Sequence, residues 1–151
     1  MLRALNNAVL LLTSALPLVA NEQDKLTELK QKAESAEGAK RAELLAHVAY
    51  EYVLIADHHF TEGRPGEGHK TVIEVVRYAE QARDVAVQQG RKAKKAEMNI
   101  RKAARKLEDV RRSLAFEDQA DVAAAVKRLH ELQDEILEAM FAPKKKPEGQ
   151  S

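Results

Sequence analysis

The sequence contains no cysteine and no tryptophan, and aromatic residues make up only 4% of its 151 positions. The absence of cysteine excludes disulfides, thiol nucleophiles and thiolate metal sites, although it does not distinguish a cytosolic protein from an exported one. The shortage of aromatic residues suits neither a β-sandwich nor an aromatic ligand pocket. Alanine and leucine supply most of the apolar content, which favours helices packed through small side chains.

The chain also lacks an excess of either charge, since 25 lysine and arginine residues stand against 24 aspartate and glutamate residues. No global field therefore draws the protein to nucleic acid or to anionic lipid, and an electrostatic function requires local segregation of charge. Hydrophobic residues make up 44% and charged residues 32% of the sequence, which is typical of one globular domain.

The first twenty residues carry a single charge, Arg3, followed by an apolar run over residues 8–19. A basic start, a short apolar core and a small residue before a polar segment are typical of a secretory signal peptide, with cleavage after Ala20 or alternatively after Ala15. The run is shorter than the roughly 20 apolar residues of a membrane span. We therefore predict a signal peptide in residues 1–20, with an uncleaved anchor or an ordinary N-terminal helix of a soluble bundle as alternatives.

Two segments after residue 20 interrupt the helical pattern. Residues 61–68 include three glycines and one proline, and we predict a helix–helix connector there rather than a phosphate-binding loop, because no strand precedes it. Residues 116–121 include Asp118, which we expect to cap the helix that follows. Gly38 and Gly90 are weaker breaks, since a helix tolerates an interior glycine at a cost of about 1 kcal/mol.

Apolar residues recur at helical spacing in five stretches, which cover residues 26–36, 44–60, 72–86, 93–114 and 122–139. The last two stretches step alternately by three and four residues, which is typical of a coiled-coil seam. Because only a short turn separates these two, they are expected to run antiparallel. We predict an all-α fold over residues 21–142. Its architecture is an antiparallel helical bundle of four to five helices with a C-terminal coiled-coil-like helical hairpin, followed by a disordered tail over residues 143–151.

The predicted hairpin leads to a specific expectation about charge. If its turn is centred near Glu117 and Asp118, facing residues have numbers that sum to about 235. This register places four carboxylates of the fifth helix beside Arg101, Lys102 and Arg105 of the fourth. The four are Glu131, Asp134, Glu135 and Glu138. We therefore expect the fifth helix to neutralise part of the positive charge on the fourth.

Residues 91–112 hold ten basic side chains and three acidic ones. Seven of the basic residues lie roughly along one helical face, as a surface that binds an anionic ligand would require. They are Arg91, Lys94, Lys95, Arg101, Lys102, Arg105 and Arg112. No aromatic residue lies among them for base stacking and no nucleic-acid-reading motif accompanies them, so we do not expect nucleic acid to be the ligand. A solvated, salt-bridged helix face is the favoured interpretation.

Histidine is concentrated in the second and third helices, with four of the five histidines between residues 47 and 69. His47, Glu51 and His58 share one helical face, while His59 and His69 flank the glycine-rich segment. Imidazole and carboxylate groups are ligands for zinc, copper and nickel, so these five residues are the candidate metal site. No recognised ligand spacing such as His-Glu-x-x-His is present, which favours a polar surface instead.

The sequence shows no nucleophile–base pair and no cofactor-binding loop, and we expect neither catalysis nor a cofactor. We predict an exported, non-catalytic helical scaffold or adaptor, located in the bacterial periplasm or outside the cell, with the cytoplasm as the alternative. Its expected partner is an unidentified protein or a second copy of the chain, and membrane contact is expected only if the N-terminal segment is uncleaved. The alternatives are a basic-surface module that binds an anionic polymer or membrane surface, and a histidine-based metal-binding protein.

Overall fold

The computed structural model describes residues 17–143, and this part of the chain contains helices and no strand. The α-helices are α1 (Pro17–Ser35), α2 (Gly38–Thr61), α3 (Pro65–Ala86), α4 (Lys94–Ser113) and α5 (Phe116–Phe141). A 3-10 helix, Gly90–Ala93, leads directly into α4. The prediction of an all-helical chain is confirmed for these residues. The predicted tail lies outside them from residue 144 onwards, as do the first sixteen residues of the predicted signal peptide.

Four of the helices form a ring in which each packs against two neighbours. α2 packs against α3 and α4, and α5 packs against the same two helices from the opposite side. α1 is the exception, because its backbone lies close to α2 alone. The described residues therefore form a four-helix bundle with one additional helix beside it.

Small side chains dominate the interior of this bundle. Thirteen of the 28 buried apolar residues are alanine, and none of the 28 is aromatic. The largest fully buried side chains are five on α4 and α5, namely Ile100, Leu107, Leu129, Leu132 and Ile136. The pair α4 and α5 thus contributes the bulky part of the core, while α2 and α3 approach each other through alanine and valine.

The connector between α2 and α3 is shorter than its sequence suggested. Only residues 62–64 separate the two helices, because Pro65 occupies the first helical position, where its missing N–H group costs nothing. Gly68 then lies inside the first turns of α3 against the ring of Phe60 from α2. A Cβ atom at Gly68 would stand 2.7 Å from the ring carbons Cε1 and Cζ of Phe60. This glycine therefore permits the close approach of the two helices.

Both of the glycines expected to be weak breaks begin a helical segment. Gly38 and Gly90 have φ angles of +57° and +54°, a conformation that residues with a Cβ atom rarely adopt. Gly38 follows the two-residue link after α1, and Gly90 opens the 3-10 helix before α4. Neither is a tolerated glycine in the interior of a longer helix.

The turn between α4 and α5 lies before the position that the sequence suggested. It consists of Leu114 and Ala115, and Ala115 has the extended φ and ψ angles of a residue that precedes a helix. Asp118 therefore lies inside the first turn of α5 and is not the predicted cap. The change of position alters the register of the two helices. The Arg111–Gln119 and Glu97–Gln133 hydrogen bonds join residues whose numbers sum to 230, not 235.

Candidate functional site

The basic side chains of α4 form two groups, and those of the first group pair with carboxylates of the same chain. Lys106 Nζ lies 2.7 Å from Asp57 Oδ2 of α2, and this hydrogen bond raises the pKa of Lys106. Arg111 donates to Glu108 over 2.6 and 2.7 Å, and these bonds hold the pKa of Glu108 down to about 2. These cations are partnered within the fold.

The second group is the outward surface that we call the α4 basic face. It consists of the seven basic residues selected from the sequence, Arg91, Lys94, Lys95, Arg101, Lys102, Arg105 and Arg112. Within residues 17–143, no carboxylate lies within 4.0 Å of Arg91, Lys94, Lys102 or Arg105. Each of the other three has one carboxylate within 4.0 Å. Glu43 lies 4.0 Å from Lys95, Glu97 lies 3.7 Å from Arg101 and Glu108 lies 3.2 Å from Arg112.

The predicted neutralisation of this face by α5 is wrong. Glu135 accepts a hydrogen bond from Arg83 of α3 and lies 3.5 Å from Arg128 of its own helix. Glu131 also pairs with Arg128, at 3.2 Å. The register shift of five residues moves α5 by about 7.5 Å along the helix axis, which carries these carboxylates away from Arg101, Lys102 and Arg105. The α4 basic face therefore keeps more uncompensated charge than the sequence suggested.

The predicted histidine and glutamate candidates are distributed over separate contacts. His47 Nε2 lies 3.2 Å from Glu51 Oε1 within α2. His59 Nδ1 lies 3.6 Å from Glu67 of α3, next to His58, whose ring centroid is 6.5 Å from that of His59. Among the residues that the structure describes, no group of three or more histidine, aspartate or glutamate side chains is placed to hold a metal ion.

His69 serves a different contact, which joins α3 to the start of α5. Its Nε2 lies 3.2 Å from Asp118 Oδ1, and its Nδ1 lies 4.0 Å from Asp121 Oδ2. The ring of Phe60 packs edge-on against His69 with centroids 5.2 Å apart. Asp118, which the sequence suggested as a helix cap, is therefore part of an interhelical polar contact.

An apolar groove of about 490 Å³ continues from His69 along α3 and α5. Val72, Val76 and Ala125 contribute apolar lining, and Ile73 stands beside them with 66% of its surface exposed. Charged residues of both signs complete the lining, namely Arg77, Glu80 and Asp121. The groove is therefore an apolar depression that borders an exposed large aliphatic side chain.

A third surface feature lies between α1, α2 and α3, where sequence reasoning identified no contact. The rings of Tyr52 and Tyr78 stack with centroids 5.4 Å apart, and Lys30 of α1 places its Nζ 4.9 Å from the Tyr52 centroid and 5.4 Å from the Tyr78 centroid. A neighbouring cavity of about 550 Å³ is lined by residues that include Leu26, Ile55 and His59. The cation–π contact ties α1 to both neighbouring helices.

One buried carboxylate also escaped the sequence analysis. Glu97 is only 5% exposed, and Gln133 of α5 donates a hydrogen bond to it over 2.8 Å. Its position next to the apolar 3-4 repeat was the available signal, because Glu97 directly follows the buried Ala96 on the inner side of α4.

Comparisons with known protein families, curated proteins and solved structures gave no match to this chain. None of the helices in the described range is both long enough and apolar enough to span a bilayer. The described part of the chain thus presents two candidate functional surfaces, the α3–α5 groove and the α4 basic face.

Proposed function

We propose that the protein is a non-catalytic helical scaffold, exported to the bacterial periplasm or beyond the cell, that acts through protein–protein contacts. The α3–α5 groove is the observation that carries this proposal. A partner helix with an apolar edge would bury Ile73 and the groove lining, and its polar flanks would meet Arg77, Glu80 and Asp121. Mixed charges around an apolar groove suit a peptide helix better than a purely apolar ligand.

Site-specific photocrosslinking tests this function. A photoreactive residue replaces Ile73 in one variant and Leu54 in a matched control, since Leu54 is also an exposed aliphatic residue but lies on α2. We expect Ile73 to give a discrete product in the cells that carry the gene, and the substitution Ile73→Asp to abolish recovery of the same protein by the tagged chain. Equal crosslinking from both positions, or recovery that survives Ile73→Asp, would contradict the proposal.

The size of the product identifies the occupant. A product of twice the mass of the chain would assign the groove to a second copy. Any other discrete mass would assign it to a different protein, identified by mass spectrometry and then tested as a purified component. Both results support a scaffold that acts through protein contacts.

Export is supported by the composition of residues 1–20, with Arg3 ahead of an apolar run that ends before a polar segment. Cleavage after Ala15 would leave α1 whole, whereas cleavage after Ala20 would remove its first four residues. Expression of the full chain in a bacterial host, followed by fractionation and intact-mass measurement, tests this part. We expect a periplasmic product lighter by about 1.5–2.2 kDa, the mass of a 15- to 20-residue signal. An intact chain in the cytosol would contradict export.

We also propose that α4 and α5 form an antiparallel coiled-coil-like hairpin. The two-residue turn and the shared sum of 230 in two interhelical hydrogen bonds support this arrangement. A double-mutant cycle with Glu97→Ala and Gln133→Ala is its test. We expect a coupling energy above about 0.5 kcal/mol, as found for residues in contact. Independent, additive effects would contradict the proposed register.

A further inference from the structure

Uncompensated positive charge is concentrated in one part of the molecule. Within residues 17–143, nine lysine or arginine side chains have no carboxylate within 4.0 Å, and five of these nine lie between residues 91 and 105. The five are Arg91, Lys92, Lys94, Lys102 and Arg105. The other four are spread over α1, α2 and α3. The near-neutral chain thus presents one strongly basic surface.

Part of this charge opposes folding. Lys94 and Lys95 occupy the first turn of α4, where the helix dipole presents its positive end, and the 3-10 helix before them adds Arg91 and Lys92. The acidic residue in that turn, Glu97, is buried and hydrogen-bonded to Gln133. Cations at a helix N-terminus destabilise the folded state, so their accumulation here indicates a role other than stability.

The chemistry of the face favours a flat anionic surface over nucleic acid. Residues 91–112 include no aromatic side chain that could stack on a base. The amide of Asn99 is engaged, because it donates to the backbone carbonyl of Glu43. Met98, which is 36% exposed, is the apolar side chain at the centre of the face. Because α2 and α5 pack on both sides of α4, the helix presents one exposed strip to a ligand.

We propose that the α4 basic face binds the surface of an anionic phospholipid bilayer. The contact is peripheral: the ammonium and guanidinium groups bind headgroup phosphates along a strip of about 30 Å, the length of 22 residues in a helix. Met98 enters the headgroup region at the centre of the strip. Membrane contact then requires no uncleaved N-terminal anchor.

Vesicle flotation of the full chain tests the proposal. The probes are vesicles of phosphatidylcholine alone and of phosphatidylcholine with phosphatidylglycerol at about 7:3. The test variant replaces Arg91, Lys94, Lys102 and Arg105 with glutamine. The control variant removes the same number of charges elsewhere, by replacing Lys25, Arg41, Lys70 and Lys127 with glutamine.

We expect the natural chain to bind anionic vesicles at low salt and to be released as salt increases, because the contact is electrostatic. Each lost cation near the surface weakens binding by about fivefold, so the test variant should bind several hundredfold more weakly. The control variant should keep most of the affinity. Equal loss in both variants would mean a response to net charge alone and would overturn the assignment to α4. Equal binding to neutral and anionic vesicles would overturn it as well.

Two further measurements distinguish membrane binding from a loss of folding and from the binding of a soluble polyanion. The thermal midpoint of the test variant should equal or exceed that of the natural chain, because removing Arg91 and Lys94 from the start of α4 relieves their conflict with the helix dipole. A lower midpoint would contradict that argument. Soluble polyphosphate and duplex DNA, supplied at the same phosphate concentration as the vesicles, should bind more weakly. Binding to either of these in preference to the vesicles would assign the face to a soluble polyanion and overturn the membrane proposal.

Discussion

Replacing Gly68 with alanine probes how closely α2 and α3 approach each other next to their connector. Alanine normally stabilises a helix by about 0.5–1 kcal/mol relative to glycine. At Gly68 the added methyl group would stand 2.7 Å from two carbon atoms of the Phe60 ring, which is well inside van der Waals contact. Either the ring or the α3 backbone must move, and a stiff aromatic ring that also packs on His69 cannot move freely.

The same helix provides a matched control two residues earlier. Gly66 lies in the first turn of α3 and has no heavy atom within 4 Å of the position of an added Cβ atom. We expect Gly66→Ala to raise stability by about 0.5 kcal/mol through the ordinary helix propensity. Overpacking costs about 1–3 kcal/mol, so Gly68→Ala should be the less stable of the two variants by about that amount.

Thermal and urea denaturation followed by circular dichroism measure the difference. A change of 1 kcal/mol moves the midpoint by about 2–4 °C in a protein of this size, so the two variants should separate by several degrees. Adding Phe60→Leu should recover part of the loss in Gly68→Ala and should not change the effect of Gly66→Ala. If the two alanine variants are equally stable, Phe60 has room to move, and the proposed close approach of α2 and α3 does not depend on Gly68.

Three further predictions concern the charge of Glu108, the packing of the core and the binding of metal ions. The pKa of Glu108 is lowered, so its stabilising contribution is complete above pH 4.5 and is lost as the pH falls towards 2. Glu108→Gln should therefore reduce the acid sensitivity of urea melts between pH 5 and 2.5, by up to about 1 kcal/mol for a partly exposed pair. Ile100→Ala should cost about 2–5 kcal/mol because Ile100 is fully buried, whereas Ile73→Ala should change stability by less than about 0.5 kcal/mol. Melting with and without saturating zinc or nickel should give the same midpoint for the purified chain, and an increase with metal would revive the histidine site.

The periodicity of apolar residues was sufficient to predict the helices, because a single buried stripe decides the backbone conformation of each segment. Ala96, Ile100, Ala103 and Leu107 repeat at three- and four-residue steps, and all four are buried. Helix ends were harder to predict. Pro65 resembles a helix breaker but begins α3, and Asp118 resembles a helix cap but lies inside α5. Each residue type has two local roles, and only the position of the preceding turn selects between them.

The side chains that pair across two helices could not be predicted from the sequence. An error of a few residues in the position of a turn changes which residues of the two helices face each other. The error of a few residues in the α4–α5 turn assigned Glu135 to the wrong helix, whereas the structure pairs it with Arg83 of α3. The basic residues of α4 were identified correctly as a group, but their lack of acidic neighbours depends on where α5 places its carboxylates. The Lys30–Tyr52–Tyr78 contact joins three helices and has no signature in any one of them.

The alanine-rich interior determines which mutations this protein can accept. In a core of large side chains, the harmful substitutions are those that remove volume and leave a cavity. Here, positions such as Ala46, Ala49 and Ala79 are fully buried and have little volume to lose. Enlarging any of them forces neighbouring side chains out of their preferred rotamers or shifts the helix backbones. Random substitution should therefore harm α2 and α3 mainly by enlarging residues, whereas it should harm α5, whose buried residues are mostly large, mainly by truncating them.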